Sequence, residues 1–437
     1  MNSRIQRLAL PFAGAVLLGS AVFGSARLAP VSETVAPRPA PERRLKDNQL
    51  KKVSAAMAAW LTAVDTNKDR GKAEDKLRGE VEKLNKKTLK GGDILALPED
   101  LGYVVFQAND YKKKEKLVKK GIGKVMSETV ERNGVTVEYA VWTPNGYSSK
   151  NGPYPTVVTI PEEGQSPEEH ISQYWMGSKL AETSIVVCPK MPGNSKEWVN
   201  GAGLPAIFYA FGAVQLKWAV DPDRVCIGGR GLGGETAVMI ANMFPKRFAA
   251  AFGWAADPGD GVEPLNLKHV PVMVSGGGKN ASEFQSRAKE AGVESIEMDG
   301  DADANAIADW LADKIRVAYP EEVTVIPGRT FPTGTSWFYF SPVAEGSGAR
   351  VDGSFDRETN TVSITAKGIT ELNLLFSDAM LDLSQPVKVV VNGVESVDKF
   401  DRSINQFLGF VESTRVDASR IFVASKRYSV PSLEEDN

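Results

Sequence analysis

The sequence of 437 residues predicts a mixed α/β protein built on a doubly wound, mostly parallel sheet, with a helical region before it and a β-rich domain after it. Three observations lead to this prediction. Residues 42–90 place apolar side chains at helical spacing, residues 134–319 alternate short apolar runs with helical segments, and residues from 321 onward show strand patterns. A chain with 42% hydrophobic residues and this length can bury more than one core.

The first 41 residues have the features of an export signal followed by a linker. Arg4 and Arg7 precede an uncharged run, 8–26, that ends in Gly-Ser-Ala, which predicts a signal peptide over residues 1–26. If it stays uncleaved, this run has about the 20 residues that span a bilayer, and it is the only membrane contact we expect. Residues 27–41 are rich in Pro and Ala and predict an extended linker. The expected location is therefore secreted, periplasmic or in the cell envelope.

Residues 42–125 predict a basic helical region. Residues 42–124 hold 21 Lys and Arg against 13 Asp and Glu, a net charge of +8, whereas residues 125–437 hold 27 against 41, a net charge of −14. The lysine-rich run 112–120 suits an acidic partner or a solvated face, and no aromatic side chains interrupt it, so no nucleic-acid partner is predicted. The apolar positions at helical spacing are Leu45, Leu50, Val53, Met57, Trp60, Leu61 and Val64.

The segment Asp65-Thr-Asn-Lys-Asp resembles the start of a calcium-binding loop. Arg70 stands where that loop needs its turn glycine, and Lys76 stands where it needs a bidentate glutamate. The segment therefore predicts a turn between two helices, the second running over about 72–89.

Residues 126–319 predict the α/β domain. Its apolar runs at 134–142, 154–160, 184–188, 224–229, 248–255, 270–275 and 295–298 read as strands, and helical segments separate most of them. One of these helices follows Ser166-Pro-Glu-Glu, a capping box with proline at the first helical position. The last helix is predicted over about 304–317.

The most informative segment is Arg224-Val-Cys-Ile-Gly-Gly-Arg-Gly-Leu-Gly-Gly-Glu-Thr-Ala. It reads as a strand, a tight glycine turn and a helix, which is the pattern of a nucleophile elbow. In the G-x-S-x-G elbow a serine occupies the central position with positive φ, and here that position is Gly231. Glycine adopts positive φ without strain, but it offers no oxygen to attack a carbonyl.

Residues from about 134 to 319 resemble an α/β-hydrolase domain of the exported esterase, dienelactone-hydrolase or polyester-depolymerase kind. The resemblance lies in Asp221-Pro-Asp-Arg-Val-Cys-Ile-Gly-Gly-Arg-Gly-Leu-Gly-Gly and in Phe244-Pro-Lys-Arg-Phe-Ala-Ala after the elbow helix. It implies that the nucleophile, acid and histidine positions fall at Gly231, Asn280 and Asp303, which form a degenerate triad. The loop corresponding to the oxyanion hole reads Pro161-Glu-Glu-Gly, and carboxylates there repel an oxyanion.

The expected cleft above the elbow is lined by Glu162, Glu163, Arg230, Leu232 and Asp257. Only two histidines, His170 and His269, are available as a general base. His269 precedes its strand, at the end of the sheet away from the reaction centre, and His170 is interpreted as a surface residue of the helix that follows the oxyanion loop.

The leading hypothesis is therefore a catalytically inactive pseudoenzyme with a binding or scaffolding role. The alternatives are an active hydrolase that uses non-standard residues and a dinucleotide-binding protein, since Gly229-Arg-Gly-Leu-Gly-Gly also fits G-x-G-x-x-G with Asp257 after the next strand. A further alternative is a hard-cation site. Its carboxylates would follow the strands at Glu162, Glu163, Asp257, Asp260, Asp299, Asp301 and Asp303.

Residues 320–430 predict a β-sandwich-like domain. The predicted strands are 323–326, 336–341, 361–366, 372–376 and 387–391, and Asn392-Gly393 predicts a two-residue hairpin after the last of them. In Trp337-Phe-Tyr-Phe, alternation places Trp337 and Tyr339 on one face, more consistent with core packing than with a binding surface.

Neither composition nor motifs indicate a cofactor or a bound metal as the leading interpretation. Cys188 and Cys226 each lie in an apolar strand run and are expected to be buried free thiols. The expected partner is an unidentified small molecule or a ligand of the envelope.

Overall fold

A computed structural model describes residues 42–191, 193, 198–199, 203–259, 261–298, 302–328, 331–343, 347–414 and 417–432, with residues 295–298 as backbone only. The predicted signal peptide (1–26) and linker (27–41) lie outside the described residues. Within the described ranges, no helix combines the length and apolar character needed to cross a bilayer.

Helices make up the first described segment. They are α1 (Asp47–Thr66), α2 (Arg70–Lys87), α3 (Pro98–Ala108) and α4 (Tyr111–Val118). The apolar face of α1 is buried as predicted, with Leu50, Met57 and Trp60 fully inaccessible. Asn67 and Asp69, at φ 50° and 52°, reverse the chain between α1 and α2, so the prediction of a helix–helix turn is confirmed.

The central segment forms an eight-stranded sheet. Its strands are β1 (Val125–Arg132), β2 (Val135–Trp142), β3 (Tyr154–Ile160), β4 (Ile185–Pro189), β5 (Val220–Arg230), β6 (Ala250–Trp254), β7 (Val272–Ser275) and β8 (Ser295–Met298). Their order is β1-β2-β4-β3-β5-β6-β7-β8. β2 runs antiparallel to both of its neighbours, and the six strands from β4 to β8 along the sheet are parallel. The predicted mostly parallel α/β sheet is thus observed.

Helices cover both faces of this sheet, because its parallel strands are joined by crossover connections. They are α5 (Pro167–Tyr174), α6 (Lys179–Thr183), α7 (Gly203–Lys217), α8 (Leu232–Met243), α9 (Lys279–Glu290) and α10 (Ala304–Leu311). One apolar core lies between the sheet and α7, α8 and α9, and a second lies between the sheet and α5, α6 and α10. The predicted capping box forms at α5, where Ser166 and Glu169 bond reciprocally. α10 is shorter than the predicted 304–317.

The last segment is rich in strands, as predicted. They are β9 (Glu322–Val325), β10 (Phe338–Phe340), β11 (Arg350–Asp356), β12 (Thr361–Lys367), β13 (Glu371–Phe376), β14 (Val387–Val391), β15 (Val394–Asp398) and β16 (Ala424–Ser429). They form sheets of order β15-β14-β12-β11-β9 and β10-β13-β16. Asn392 and Gly393 form the predicted hairpin turn, both at positive φ. The expectation that helical structure ends at 321 is wrong, because α11 spans Ile404–Thr414 and buries Phe407, Leu408 and Val411.

The aromatic side chains of β10 alternate between buried and exposed as predicted, but Trp337 and Tyr339 do not share one face. Trp337, Phe338 and Phe340 are buried, whereas Tyr339 is 49% exposed. Trp337 precedes β10, so its side chain is free of the strand alternation and turns into the core, where its Nε1 donates to the carbonyl of Pro320.

The first and last segments share one hydrophobic core. Leu50, Trp60 and Val104 from the N-terminal helices belong to the same buried cluster as Phe376 and Phe422 from the C-terminal segment. A Cβ on Gly102 of α3 would lie 2.3 Å from the carbonyl oxygen of Ala418, so the two segments meet at backbone distance. Residues close in space here are therefore far apart in sequence.

Cys188 and Cys226 are buried free thiols, as predicted. Burial raises the pKa of the Cys226 thiol to about 12, so it remains protonated at neutral pH.

Candidate functional site

The turn between β5 and α8 has the geometry of a nucleophile elbow. β5 ends at Arg230, α8 begins at Leu232, and Gly231 between them has φ 55° and ψ −131°. Its N–H donates to the carbonyl of Trp254, 2.8 Å away, which ties the turn to the end of β6. Residues other than glycine rarely adopt this backbone conformation. It recurs where a fold presents a reactive residue.

A side chain from the neighbouring loop occupies the space in front of the elbow. A Cβ built on Gly231 would lie 3.3 Å from Oε1 of Glu162. That carboxylate is held from two sides, because Arg230 Nη1 donates to Oε1 at 2.7 Å and the Tyr174 hydroxyl donates to Oε2 at 3.0 Å. The Arg230 guanidinium also lies over the rings of Tyr174 and Trp254, 5.2 and 5.8 Å from their centroids. We call Glu162, Tyr174, Arg230 and Trp254 the elbow cluster.

The elbow cluster places the carboxylate of Glu162, paired with Arg230, at the edge of the turn. Burial, followed by the Glu162 carboxylate, raises the pKa of the Tyr174 hydroxyl, so Tyr174 stays protonated and acts as a hydrogen-bond donor to Glu162. Glu162 and Arg230 are half-buried, and their ion pair is therefore less screened than one on the open surface. The side chains of Glu162, Arg230 and Tyr174 therefore bond to one another, and a carboxylate oxygen faces the position where a side chain of residue 231 would begin.

His170 is buried rather than exposed, so its interpretation as a surface residue is wrong. Gln165 Nε2 donates to Gln173, which directs Gln165 Oε1 to His170 Nδ1 at 2.8 Å and makes that nitrogen the donor. His170 Nε2 then accepts from the Thr159 hydroxyl at 2.7 Å. Burial, with a contribution from Arg230, lowers the pKa of His170 to about 3. Its accepting lone pair is used inside the core, where it links α5 to β3.

His269 lies at the end of the central sheet away from the elbow. It precedes β7, and its Nε2 is 2.5 Å from the backbone carbonyl of Glu322, which begins β9. The ring therefore joins the central sheet to the C-terminal segment.

The other two residues predicted at triad positions, Asn280 and Asp303, belong to separate helices or their caps. Asn280 is an exposed residue in the first turn of α9. Asp303 is exposed and caps α10, since its Oδ1 accepts from the backbone N–H groups of Asn305 and Ala306 at 2.9 and 2.8 Å. In the described chain, neither residue forms a hydrogen bond with the elbow cluster.

Asp257 serves as a helix cap. Its Oδ1 accepts from the backbone N–H groups of Gly278 and Ala281 at 3.0 and 2.8 Å, at the start of α9. One oxygen of the Asp257 carboxylate is therefore engaged by the start of α9. Of the remaining predicted cleft residues, Glu163 is exposed and Leu232 is 44% exposed.

The described carboxylates that were predicted to form a cation site make separate contacts. Glu162 pairs with Arg230, and Asp257 and Asp303 cap two different helices. Asp260, Asp299 and Asp301 lie outside the described residues. Over the described residues, no group of three or more His, Cys, Asp or Glu side chains is arranged to hold a metal ion.

Sequence reasoning located Glu162 and Arg230 at the elbow but missed Tyr174 and Trp254. Tyr174 lies at the end of α5, eight residues after the capping serine, and Trp254 ends β6. Their meeting depends on β6 lying beside β5, and only the sheet order establishes this.

A mostly parallel sheet that carries this elbow has the α/β-hydrolase fold. Among solved structures, the chain is similar to a thermostable esterase with 20% identity and a TM-score of 0.38, over 45% of this chain and 64% of the esterase. It is also similar to a ferulic acid esterase from the anaerobic fungus Anaeromyces mucronatus, with 14% identity and a TM-score of 0.36 over 44% of this chain and 89% of the other. An S-formylglutathione hydrolase from Staphylococcus aureus has 12% identity and a TM-score of 0.35, over 43% and 96% of the two chains.

This chain therefore spans less than two thirds of the thermostable esterase. Neither a protein-family model nor a curated protein sequence matches the chain. Similarity at this level carries no information about activity or substrate.

Proposed function

We propose that this protein is a catalytically inactive member of the α/β-hydrolase fold class that acts by binding. The observation that carries the proposal is the position of Glu162. Its carboxylate lies 3.3 Å from where the side chain of residue 231 would begin, and Arg230 and Tyr174 hold it there.

Acyl transfer by this fold needs three things at the elbow: a nucleophile, a base and donors for the oxyanion. Gly231 supplies no nucleophile, and His170 has both ring nitrogens engaged in the core. The Glu162 carboxylate lies beside the turn, where its negative charge would repel an oxyanion. Loss of nucleophile and base leaves at most roughly 10³-fold acceleration through binding and an oxyanion hole.

The test is ester hydrolysis and active-site labelling of the full chain. We expect no turnover of p-nitrophenyl acetate or butyrate above the rate with heat-denatured protein, and no labelling by a fluorophosphonate probe. We expect the Gly231→Ser variant to stay unlabelled as well, because both ring nitrogens of His170 are already bonded and no imidazole is available to act as its base. An active serine esterase in the same assay is the positive control.

Turnover by the wild type that disappears in Glu162→Gln or Arg230→Gln would contradict the proposal. It would replace it with the active hydrolase that uses non-standard residues. The two variants are suited to this purpose, because both residues are half-buried at the surface of the elbow rather than in the core.

We further propose that the protein is exported. The proposal rests on Arg4 and Arg7 before the uncharged run 8–26 and on the linker that follows. N-terminal sequencing of the protein from the periplasm or the medium is expected to begin near Arg27. Recovery of the whole chain in the cytosol with Met1 retained would contradict export.

A further inference from the structure

A cleft lies between the turn after α8 and the C-terminal segment. Its cavity volume is about 400 Å³, within the range of small-molecule sites. One wall is the 3-10 turn Pro245–Arg247, and the other is built by α11, β10 and the start of β16. We call it the basic cleft.

Three cations line the basic cleft, namely Lys246, Arg247 and Arg420, and the described residues that line it include no Asp or Glu. Arg420 pairs with Asp417, its Nε donating to Oδ2 at 2.8 Å. Lys246 and Arg247 form no ion pair with a carboxylate in the described part of the chain. The Arg247 guanidinium lies 5.9 Å from the centroid of the Phe208 ring.

The described carboxylates next to the cleft are already paired with arginines. Asp417 pairs with Arg316 as well as with Arg420, and Arg316 pairs with Asp223 at 2.9 Å. Lys246 and Arg247 are two further positive charges in the cleft wall. A cation that is taken out of water without a counter-charge is costly.

Lys246 already shows this cost. Burial, followed by repulsion from Arg420 and Arg247, lowers its pKa to about 7, and Asp417 offsets this only in part. A bound anion would favour the charged lysine and raise its pKa again.

The opposite wall offers an apolar surface and a neutral donor. Tyr339 is 49% exposed and lines the cleft beside Phe410. The Ser425 hydroxyl donates to Gln406 Oε1 at 3.0 Å, which leaves the amide N–H₂ group of Gln406 as a donor at the cleft. A ligand that matches both walls has a charged group and a flat apolar body.

We propose that the basic cleft binds a small organic anion, with its carboxylate or phosphate group at Lys246 and Arg247 and an aromatic or similarly flat apolar part against Tyr339 and Phe410. This proposal does not depend on the elbow being inactive, because the cleft and the elbow cluster share no residue.

Titration calorimetry on the full chain at constant ionic strength tests it. The probes are phenyl phosphate, benzoate, inorganic phosphate and the neutral benzyl alcohol. We expect the two aromatic anions to bind more tightly than inorganic phosphate and benzyl alcohol not to bind. The stronger of phenyl phosphate and benzoate identifies which anionic group the cleft prefers.

Lys246→Gln and Arg247→Gln are each expected to weaken binding of the aromatic anions roughly tenfold or more, because each removes a charged donor. Lys112→Gln, an exposed lysine on α4, is the matched control and should leave binding unchanged. Circular dichroism checks that each variant is folded. The proposal would be overturned if neither aromatic anion bound at a concentration of about 10 mM, which corresponds to a very weak affinity. Equal binding by Lys246→Gln and Lys112→Gln would also overturn it. Equal affinity for phenyl phosphate and inorganic phosphate would overturn its apolar part.

The pH dependence of benzoate binding gives a second readout. Benzoate binding favours protonated Lys246, so affinity should fall as the pH rises from 7 to 9, and this fall should be lost in Lys246→Gln. The charged and titratable groups around Lys246 are Arg247, Asp417, Arg420, Arg316, Lys268 and His269. Of these, His269 has a pKa lowered below 6.5 by burial, so it stays neutral over this range. A pH-independent affinity in the wild type would count against the assigned role of Lys246.

Discussion

Replacing Gly233 by alanine is expected to destabilise the central sheet strongly. A Cβ there would lie 2.4 Å from the carbonyl oxygen of Ile160 and 2.8 Å from that of Pro161. Both oxygens belong to the end of β3 and the loop after it, and β3 is hydrogen-bonded on both sides to β4 and β5. The strand cannot retreat without losing that pairing, so we expect a cost of about 3 kcal/mol or more.

Urea unfolding followed by circular dichroism measures this effect. Gly212→Ala is the matched control, because Gly212 lies inside α7 and a Cβ there would meet no atom within 4 Å. That substitution should stabilise the protein by about 0.5–1 kcal/mol, as alanine replaces glycine in a helix. Equal stability of the two variants would show that α8 does not pack on β3 as closely as described.

Asp417→Asn is the second substitution with a large expected effect. Asp417 is buried, accepts from Arg316 at 2.6 and 2.9 Å, and accepts from Arg420 at 2.8 Å. Its neutralisation removes the carboxylate that Arg316 and Arg420 share and leaves Arg316 paired with Asp223. Removing one partner of a buried ion pair typically costs about 3–5 kcal/mol, and we expect a loss in this range.

Asp309→Asn provides the control for Asp417→Asn. Asp309 pairs with Lys179 at 2.7 Å, but both side chains are more than 60% exposed, so its loss should change stability by less than about 1 kcal/mol. The contribution of Asp417 to stability also depends on pH in a defined direction. The two arginines lower the pKa of Asp417, so its contribution is present above pH 4 and is lost as the pH falls below that value. A cost for Asp417→Asn no larger than that for Asp309→Asn would contradict the buried network.

The sequence was sufficient where local pattern determines structure. β8 was predicted at its observed bounds, the Ser166 cap and the Asn392-Gly393 turn formed as expected, and Gly231 has the predicted positive φ. In each case the information lies within a few neighbouring residues, because turns and caps depend on side chains that bond to their own backbone.

The sequence was insufficient where structure depends on distant partners. α11 was missed because Gly409 and three residues of low helix propensity near its end weaken the helical pattern of the sequence. The helix forms because its buried face, Phe407, Leu408 and Val411, packs against the rest of the protein. His170 looked like a surface residue because its helix is short and polar, and only Thr159 from β3 and Gln165 complete its bonds. The basic cleft was missed for the same reason, since Lys246 and Arg420 are 174 positions apart in the numbering.

The shared core of the first and last segments bears on the order in which the protein can fold during synthesis. Helices α1 to α3 end at residue 108, yet the strands they pack against begin only at residue 322. Neighbouring elements of the chain build the central sheet, so it can acquire its structure while translation continues. The early helices keep part of their apolar face unpartnered until these strands have been synthesised, so their docking follows the assembly of the central sheet.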